Sequence, residues 1–129
     1  MLFVNGPRTL IHNDIQADNL FFDGDGRLFA LVDWQLTTCA RGVVDVASLI
    51  RGQLDRELRR QHERDLLQTY HYALVERGTS DYPLEECWED YQLATVLEPA
   101  RLASAVGLHS GLQRHPGAFW DARFPRLIP

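Results

Sequence analysis

The sequence predicts an α+β fold, with short strands near the start of the chain and helices after them. Two apolar runs, 19–23 and 27–32, flank the sequence Asp-Gly-Asp-Gly at 23–26, a combination typical of a β-hairpin. Beyond Gly42, apolar residues recur at helical spacing rather than in strand alternation. The composition, with 45% apolar and 24% charged residues, is that of a globular protein, and 129 residues suit a single domain, 1–129.

The strands and the first helix are indicated by turn and breaker residues. The first strand is expected to begin near Thr9, because the breaker sequence Asn-Gly-Pro at 5–7 precedes it. The glycines of the hairpin turn supply the positive φ angles that a tight reversal needs. A short buried helix is expected over 43–50, where apolar residues continue without alternation between two glycines.

A long helix is expected over 55–77, with Gly78 at the position of a C-terminal cap. The inward face of this helix is predicted to carry an apolar stripe, and the opposite face is charged. The stripe consists of Leu54, Leu58, Leu66, Tyr70 and Leu74.

The last predicted helix begins at Pro83, a residue suited to a first helical turn. Pro99 lacks the N–H of an intrahelical hydrogen bond and predicts a kink or a break before the helix resumes through Val106. The tail, 115–129, is expected to be irregular. The apolar face of this helix consists of Leu84, Cys87, Trp88 and Tyr91.

Charge and cysteine content limit the classes of partner. The formal net charge is -5, and the most basic stretch, 56–64, is interleaved with acidic residues, so nucleic acid is not an expected partner. No apolar run approaches the roughly 18 residues of a transmembrane helix, so a membrane is not an expected partner either. Cys39 and Cys87 lack metal-site spacing, and the start of the chain lacks a secretory signal, which favours reduced thiols and a cytoplasmic location.

Three oxygen-bearing side chains form the candidate site. Asp14 follows the first strand, Asn19 opens the hairpin, and Asp33 follows the second hairpin strand. Because the turn pairs the two hairpin strands, Asn19 and Asp33 are expected at neighbouring strand ends. Carboxylate and amide oxygens are ligands that Mg²⁺ prefers, and a carboxylate on a loop can accept the proton of a substrate hydroxyl. The pattern indicates phosphoryl transfer, which needs a positioned acceptor and cations on the phosphate oxygens.

The segment 9–50 resembles the catalytic segment of the aminoglycoside phosphotransferase and choline-kinase-like family, small-molecule relatives of the protein kinases. The family's catalytic loop reads His-Gly-Asp, four residues, then Asn; His-Asn-Asp at 12–14 followed by Asn19 is similar to it, with Asn13 in the glycine position. Val-Asp-Trp at 32–34 resembles the family's metal-binding segment, an apolar strand that ends in Asp-Trp or Asp-Phe.

The resemblance implies a role for each residue. It implies that Asp14 is the catalytic base and that Asn19 and Asp33 hold the Mg²⁺ of bound ATP. A later Gly-x-x-Asp-x-Ala run looks like the family segment that packs a helix under the catalytic loop, which makes Asp45 a structural support. His12 is expected to brace the loop rather than to carry protons. The implied activity is transfer of the γ-phosphate of ATP to a hydroxyl group of a small molecule.

The implied fold is a protein-kinase-like C-terminal lobe, with the catalytic loop and metal-binding hairpin over 9–50 and a helical part over 51–114. Nothing before Thr9 resembles the N-terminal lobe, because the Gly-rich loop and the strand lysine are missing, and the sequence contains no lysine at all. We therefore expect the chain to bind ATP poorly and to be inactive alone. It would be the C-terminal half of a longer product, or would associate with a separate N-terminal lobe or a second copy of itself.

Two other functions are compatible with the same residues. A noncatalytic kinase-lobe remnant would use its exposed interlobe surface for dimerisation or partner binding. A divalent-metal phosphohydrolase would use the same carboxylates to release free phosphate. The sequence does not identify the acceptor substrate. A group of acidic residues would favour a cationic substrate, although solvent exposure accounts for these residues equally well. The group consists of Glu85, Glu86, Glu89, Asp90 and Glu98.

Overall fold

The computed structural model of the chain describes residues 7–112, and the side chains of 7–97 and of Ala100. The chain divides into two compact units, Met1–Val96 and Leu97–Pro129. The described residues form a mixed α+β structure with three helices and two small antiparallel sheets, which confirms the predicted class. The prediction of an irregular tail over 115–129 lies outside the described residues, and the single-domain assignment stays a prediction.

Each of the two sheets has two strands, and the four strands are β1 (Thr9–Ile11), β2 (Leu20–Phe22), β3 (Leu28–Leu31) and β4 (Thr38–Ala40). β1 pairs with β4, and β2 pairs with β3. The predicted first strand and hairpin are confirmed, whereas β4 was missed because three residues are too few to show alternation. Ile11 at the end of β1 lies opposite Thr38 at the start of β4. The loop after β1 and the segment before β4 therefore start from neighbouring positions.

The hairpin turn is held by its own backbone and by one side chain. The N–H of Asp23 donates to the carbonyl of Arg27 at 2.9 Å, and the Asp23 carboxylate accepts the N–H groups of Asp25 and Arg27. Gly26 has a φ of 75°, in the left-handed region that favours glycine. The predicted turn is confirmed, but of its two glycines only Gly26 has a positive φ, and the contacts of the Asp23 carboxylate were not predicted.

The three helices are α1 (Val43–Gln53), α2 (Arg56–Glu76) and α3 (Leu84–Leu112). After α2, Gly78 has a φ of 95°, and the N–H of Thr79 donates to the carbonyl of Leu74, as in a glycine-capped helix end. α3 begins one residue after Pro83 and continues through Pro99 to its end. The helix is not broken at Pro99, because a proline removes one intrahelical hydrogen bond without necessarily ending the helix. The alternative expectation, a kink at Pro99, stays a prediction.

The core of the first unit is formed by β1 and one face of each helix. In α2 the predicted stripe is partly wrong: Leu58 and Leu66 are exposed, and Leu67 is buried instead, with Tyr70 and Leu74 packed beside it. The predicted core position of Tyr91 is confirmed. The buried apolar residues are Ile11, Val43, Val44, Ala47, Ile50, Leu67, Tyr82, Cys87, Tyr91 and Ala94.

Among the described residues, no helix combines the length and the apolar character that crossing a bilayer requires.

Candidate active site

The loop that carries Asp14 is held by the carboxylate of Asp45, in the first turn of α1. One oxygen of Asp45 accepts the backbone N–H of His12 at 2.6 Å, and the other accepts the backbone N–H of Asn13 at 2.8 Å. Hydrogen bonds to an ionised acceptor are stronger than bonds between neutral groups. Asp45 thus fixes two consecutive peptide groups immediately before Asp14.

His12 links this loop to the end of β3. Its side chain is buried, and Nε2 lies 2.8 Å from the carbonyl oxygen of Val32, so Nε2 is the protonated ring nitrogen. The ring packs edge-on against Trp34, with 4.9 Å between the centroids. Nδ1 is buried without a hydrogen-bond partner among the described residues. These contacts are suited to bracing the chain just before Asp33.

Asn19 is 7% exposed and makes two contacts that join the loop to the hairpin. Its side-chain Nδ2 donates to the backbone carbonyl of Asp14 at 3.0 Å. Its own backbone carbonyl accepts the N–H of Val32 at 3.1 Å. Asn19 therefore contacts the backbone of Asp14 and that of the residue preceding Asp33.

Asp33 is exposed and adopts a left-handed backbone, with a φ of 65° and a ψ of 58°. A short helical turn, Trp34–Leu36, follows it directly. The Trp34 indole N–H donates to the carbonyl of Leu31 at 2.8 Å, and Nε2 of Gln35 lies 3.4 Å from an Asp33 carboxylate oxygen. A non-glycine residue in this backbone region is uncommon, and such residues often occur at functional sites.

Asn13 also has a left-handed backbone, with a φ of 66°. Asparagine tolerates this region better than most residues. Its side-chain Nδ2 donates to the carbonyl of Leu36 at 3.0 Å. This contact was not predicted, because no local pattern in the sequence indicates that the side chain at position 13 reaches residue 36.

The oxygen donors of the candidate site suit Mg²⁺, which keeps several waters, better than a metal ion whose ligands all come from the protein. No group of three or more His, Cys, Asp or Glu side chains in the described part of the chain could hold a metal ion. Mg²⁺ usually keeps several waters and takes one or two protein ligands beside substrate phosphates. The amide nitrogen of Asn19 donates to Asp14, which leaves its amide oxygen for a cation. Asn19 and Asp33, the residues predicted to hold Mg²⁺, carry one amide oxygen and one carboxylate for such a role.

A largely buried ionic cluster links the segment between β4 and α1 to α3. Arg41, between β4 and α1, donates to the carboxylate of Asp90 and to that of Glu86, and Tyr82 donates its hydroxyl to Asp90 at 2.7 Å. Burial lowers the pKa of Arg41, but the two carboxylates raise it, and the net shift is upward. Burial and the bond to Asp90 also raise the pKa of Tyr82.

The expectation that Asp90 faces solvent or a cationic substrate is therefore wrong, because Asp90 is buried and paired. Arg41 and Asp90 are 49 positions apart, and no local pattern in the sequence indicates that they meet.

The model of the family described as "Uncharacterized oxidoreductase dhs-27" (DUF1679) matches residues 5–109. No curated protein and no solved structure gives a significant match. Because the matched segment covers most of the 129 residues, the chain belongs to this family.

Proposed function

We propose that this member of the family is the catalytic C-terminal half of a small-molecule phosphotransferase, which transfers the γ-phosphate of ATP to a substrate hydroxyl. The observation that carries the proposal is the pair of hydrogen bonds made by Val32. Its N–H donates to the carbonyl of Asn19, and its carbonyl accepts from His12. These two bonds tie the residue before Asp33 to the loop that contains Asp14 and Asn19.

In this proposal the three polar residues have separate roles. Asp14 accepts a hydrogen bond from the acceptor hydroxyl and takes its proton as the phosphoryl group transfers. Asn19 and Asp33 hold Mg²⁺ through an amide and a carboxylate oxygen. The bound ion would neutralise charge that develops on the phosphate oxygens. Asp45 and His12 keep the backbone of the loop and of the hairpin end in position.

The fold that goes with this activity is a kinase-like C-terminal lobe. Its catalytic loop and hairpin occupy 9–50, and its helical part follows. Support comes from the order of the elements and from the position of Asp45 at the start of α1, where it bonds the loop that contains Asp14.

The description of the family contains the word oxidoreductase, and we do not base the proposal on it. Nicotinamide and flavin dinucleotides commonly bind at a Gly-rich turn between a strand and a helix of a parallel sheet. Both sheets among the described residues are antiparallel and two-stranded. The chemistry of Asp14, Asn19 and Asp33 therefore carries more weight than the family's description.

A second candidate function, partner binding by a noncatalytic remnant, is favoured by the exposed hairpin. Phe29 is 80% exposed, and three neighbouring apolar side chains are exposed by half or more: Phe21, Phe22 and Leu28. Exposed apolar patches commonly mark interaction surfaces. Dimerisation or association with an N-terminal lobe would cover this hairpin. Both are compatible with catalysis.

Phosphoryl transfer is tested with the chain alone and with the chain extended by any in-frame sequence found upstream of Met1 in the gene. The assay follows label from γ-labelled ATP to a panel of aminoglycosides, amino alcohols, sugars and steroid alcohols. Binding of Mn²⁺ in the presence of ATP is measured in parallel by electron paramagnetic resonance. The variants are Asp14→Asn, Asp33→Asn and, as a matched control on the exposed hairpin turn, Asp25→Asn.

We expect Asp33→Asn to lose both Mn²⁺ binding and transfer. Asp14→Asn should retain Mn²⁺ and lose about 10²- to 10⁴-fold in transfer rate, as for removal of a general base. Asp25→Asn should behave like the unaltered chain. The proposal is contradicted if Asp33→Asn binds Mn²⁺ as well as the unaltered chain does and no labelled product forms. Free phosphate released without an acceptor would indicate a phosphohydrolase.

A further inference from the structure

Asn13 occupies a position where a side chain is not required by the backbone. Its φ of 66° lies in the region that glycine adopts without strain. Its N–H donates to Asp45, a contact that any residue other than proline could make. What asparagine adds is a side-chain amide, and that amide has a specific partner.

The partner is the carbonyl of Leu36, at 3.0 Å from Nδ2 of Asn13. Leu36 is the last residue of the helical turn that follows Asp33. On the other side of Asp33, Nε2 of His12 donates to the carbonyl of Val32 at 2.8 Å. Two consecutive loop residues therefore hold the segment 32–36 at both of its ends.

This arrangement matters because Asp33 is itself in a left-handed conformation, with a φ of 65°. A residue in a sparsely populated backbone region keeps that conformation only when the surrounding structure determines it. Among the described residues, the one side-chain hydrogen bond given for the exposed Asp33 is the long one from Nε2 of Gln35, at 3.4 Å. The position of Asp33 therefore depends on how the backbone on either side is held.

We propose that Asn13 is a positioning residue: its side-chain amide, together with the ring of His12, sets the place of Asp33 relative to the loop that carries Asp14. The consequence for catalysis rests on the proposed function. Asn13 touches neither substrate nor metal in this proposal, and it acts through the carbonyl of Leu36. The amide adds a tether between the loop that carries Asp14 and the segment that carries Asp33.

Two substitutions separate the amide from the backbone conformation. Asn13→Gly keeps the left-handed backbone and removes only the amide. Asn13→Ala removes the amide and also disfavours the backbone conformation. Urea unfolding of each variant reports folding. We expect Asn13→Gly to unfold close to the unaltered chain and Asn13→Ala to be less stable.

The tether is read out in two ways, and the Mn²⁺ measurement uses the chain extended by any in-frame sequence found upstream of Met1. The first is the Mn²⁺ dissociation constant in the presence of ATP, which should rise about 3- to 10-fold in Asn13→Gly, as for loss of one hydrogen bond. The second is fluorine NMR of fluorotryptophan-labelled protein, with the Trp34 line assigned by Trp34→Phe. That line should shift or broaden in Asn13→Gly, while the line of Trp88, which stacks on Tyr91, stays unchanged.

An Asn13→Gly variant with an unchanged Trp34 line overturns the proposal, and so does a changed line with unaltered Mn²⁺ affinity. If the extended chain with Asn13 unaltered fails to bind Mn²⁺ with ATP, the proposed function fails separately. In that case the Trp34 line alone decides whether Asn13 holds the segment: a shifted or broadened line supports the tether, and an unchanged line overturns it.

Discussion

Gly42, at the start of α1, is constrained by a side chain from another helix. A Cβ atom on Gly42 would lie 2.5 Å from the hydroxyl oxygen of Tyr70 and 3.4 Å from Cγ2 of Thr9. The backbone of Gly42 has an ordinary helical φ of -58°, so conformation does not require glycine there. Glycine is needed at position 42 because α2 and β1 approach the start of α1 there and leave no room for a side chain. This position lies three residues before Asp45.

We predict that Gly42→Ala lowers the free energy of unfolding by about 1–3 kcal/mol, the usual cost of overpacking. Gly52→Ala is the matched control: nothing lies within 4 Å of the added Cβ, and alanine is the better helix former by up to about 1 kcal/mol. Urea unfolding measures both. Because the nearest clash is with a hydroxyl, Tyr70→Phe should relieve part of the Gly42→Ala loss. Strictly additive effects of the two changes would contradict this explanation.

At the scale of elements, α2 shows which features are local. Its two ends were predicted within two residues, because Asp55 and Gly78 cap it through neighbours in sequence. Its inward face was not predicted correctly. Leu66 and Leu67 are both leucines, and the packing against the other helices decides which of the two is buried. The hairpin follows the same rule: its turn is local, whereas the exposure of Phe29 depends on what else packs there.

The cap of α2 carries a prediction. The Asp55 carboxylate accepts the N–H groups of Glu57 and Leu58, both at 2.9 Å. Asp55→Ala leaves these two donors without their partner and should cost about 0.5–2 kcal/mol in the free energy of unfolding. Asp55→Asn retains an acceptor oxygen and is expected to cost much less. Equal losses in the two variants, measured by thermal or urea unfolding, would show that the cap is not the cause.

At the scale of the whole molecule, buried phenols make stability depend on pH. Burial, with smaller contributions from Cys87 and Asp45, raises the pKa of Tyr70 from 10.0 to about 12. Burial and the hydrogen bond to Glu63 raise the pKa of Tyr91 to about 12. Both groups stay protonated in the folded chain at pH values where they ionise in the unfolded chain. Between about pH 10 and pH 12 the folded state therefore binds more protons.

The expected result is a melting temperature that is insensitive to these phenols below about pH 10 and falls as the pH rises toward about 12. The contribution of the two phenols to stability is fully present below their pKa in the unfolded chain, and it is lost as the pH rises past their pKa in the folded chain. Replacing Tyr70 or Tyr91 with phenylalanine should make the decline shallower, and Tyr72→Phe, at an exposed site, should leave it unchanged. A decline that is equally steep in all three variants would refute the assignment. Calorimetry across this range measures it.

The positions of the strands, the hairpin and the helices were largely set by the sequence alone, because turn residues, caps and periodicity act between near neighbours. The same local patterns selected Asp14, Asn19 and Asp33 as candidate residues, and their catalytic roles stay predictions. Tertiary structure alone decided the pairing of β1 with β4, the burial of Leu67 and the ion pair of Arg41 with Asp90. It also brought Asp45 to the backbone N–H groups of His12 and Asn13. These contacts join residues far apart in the chain, and no short-range pattern encodes which distant partner a side chain meets.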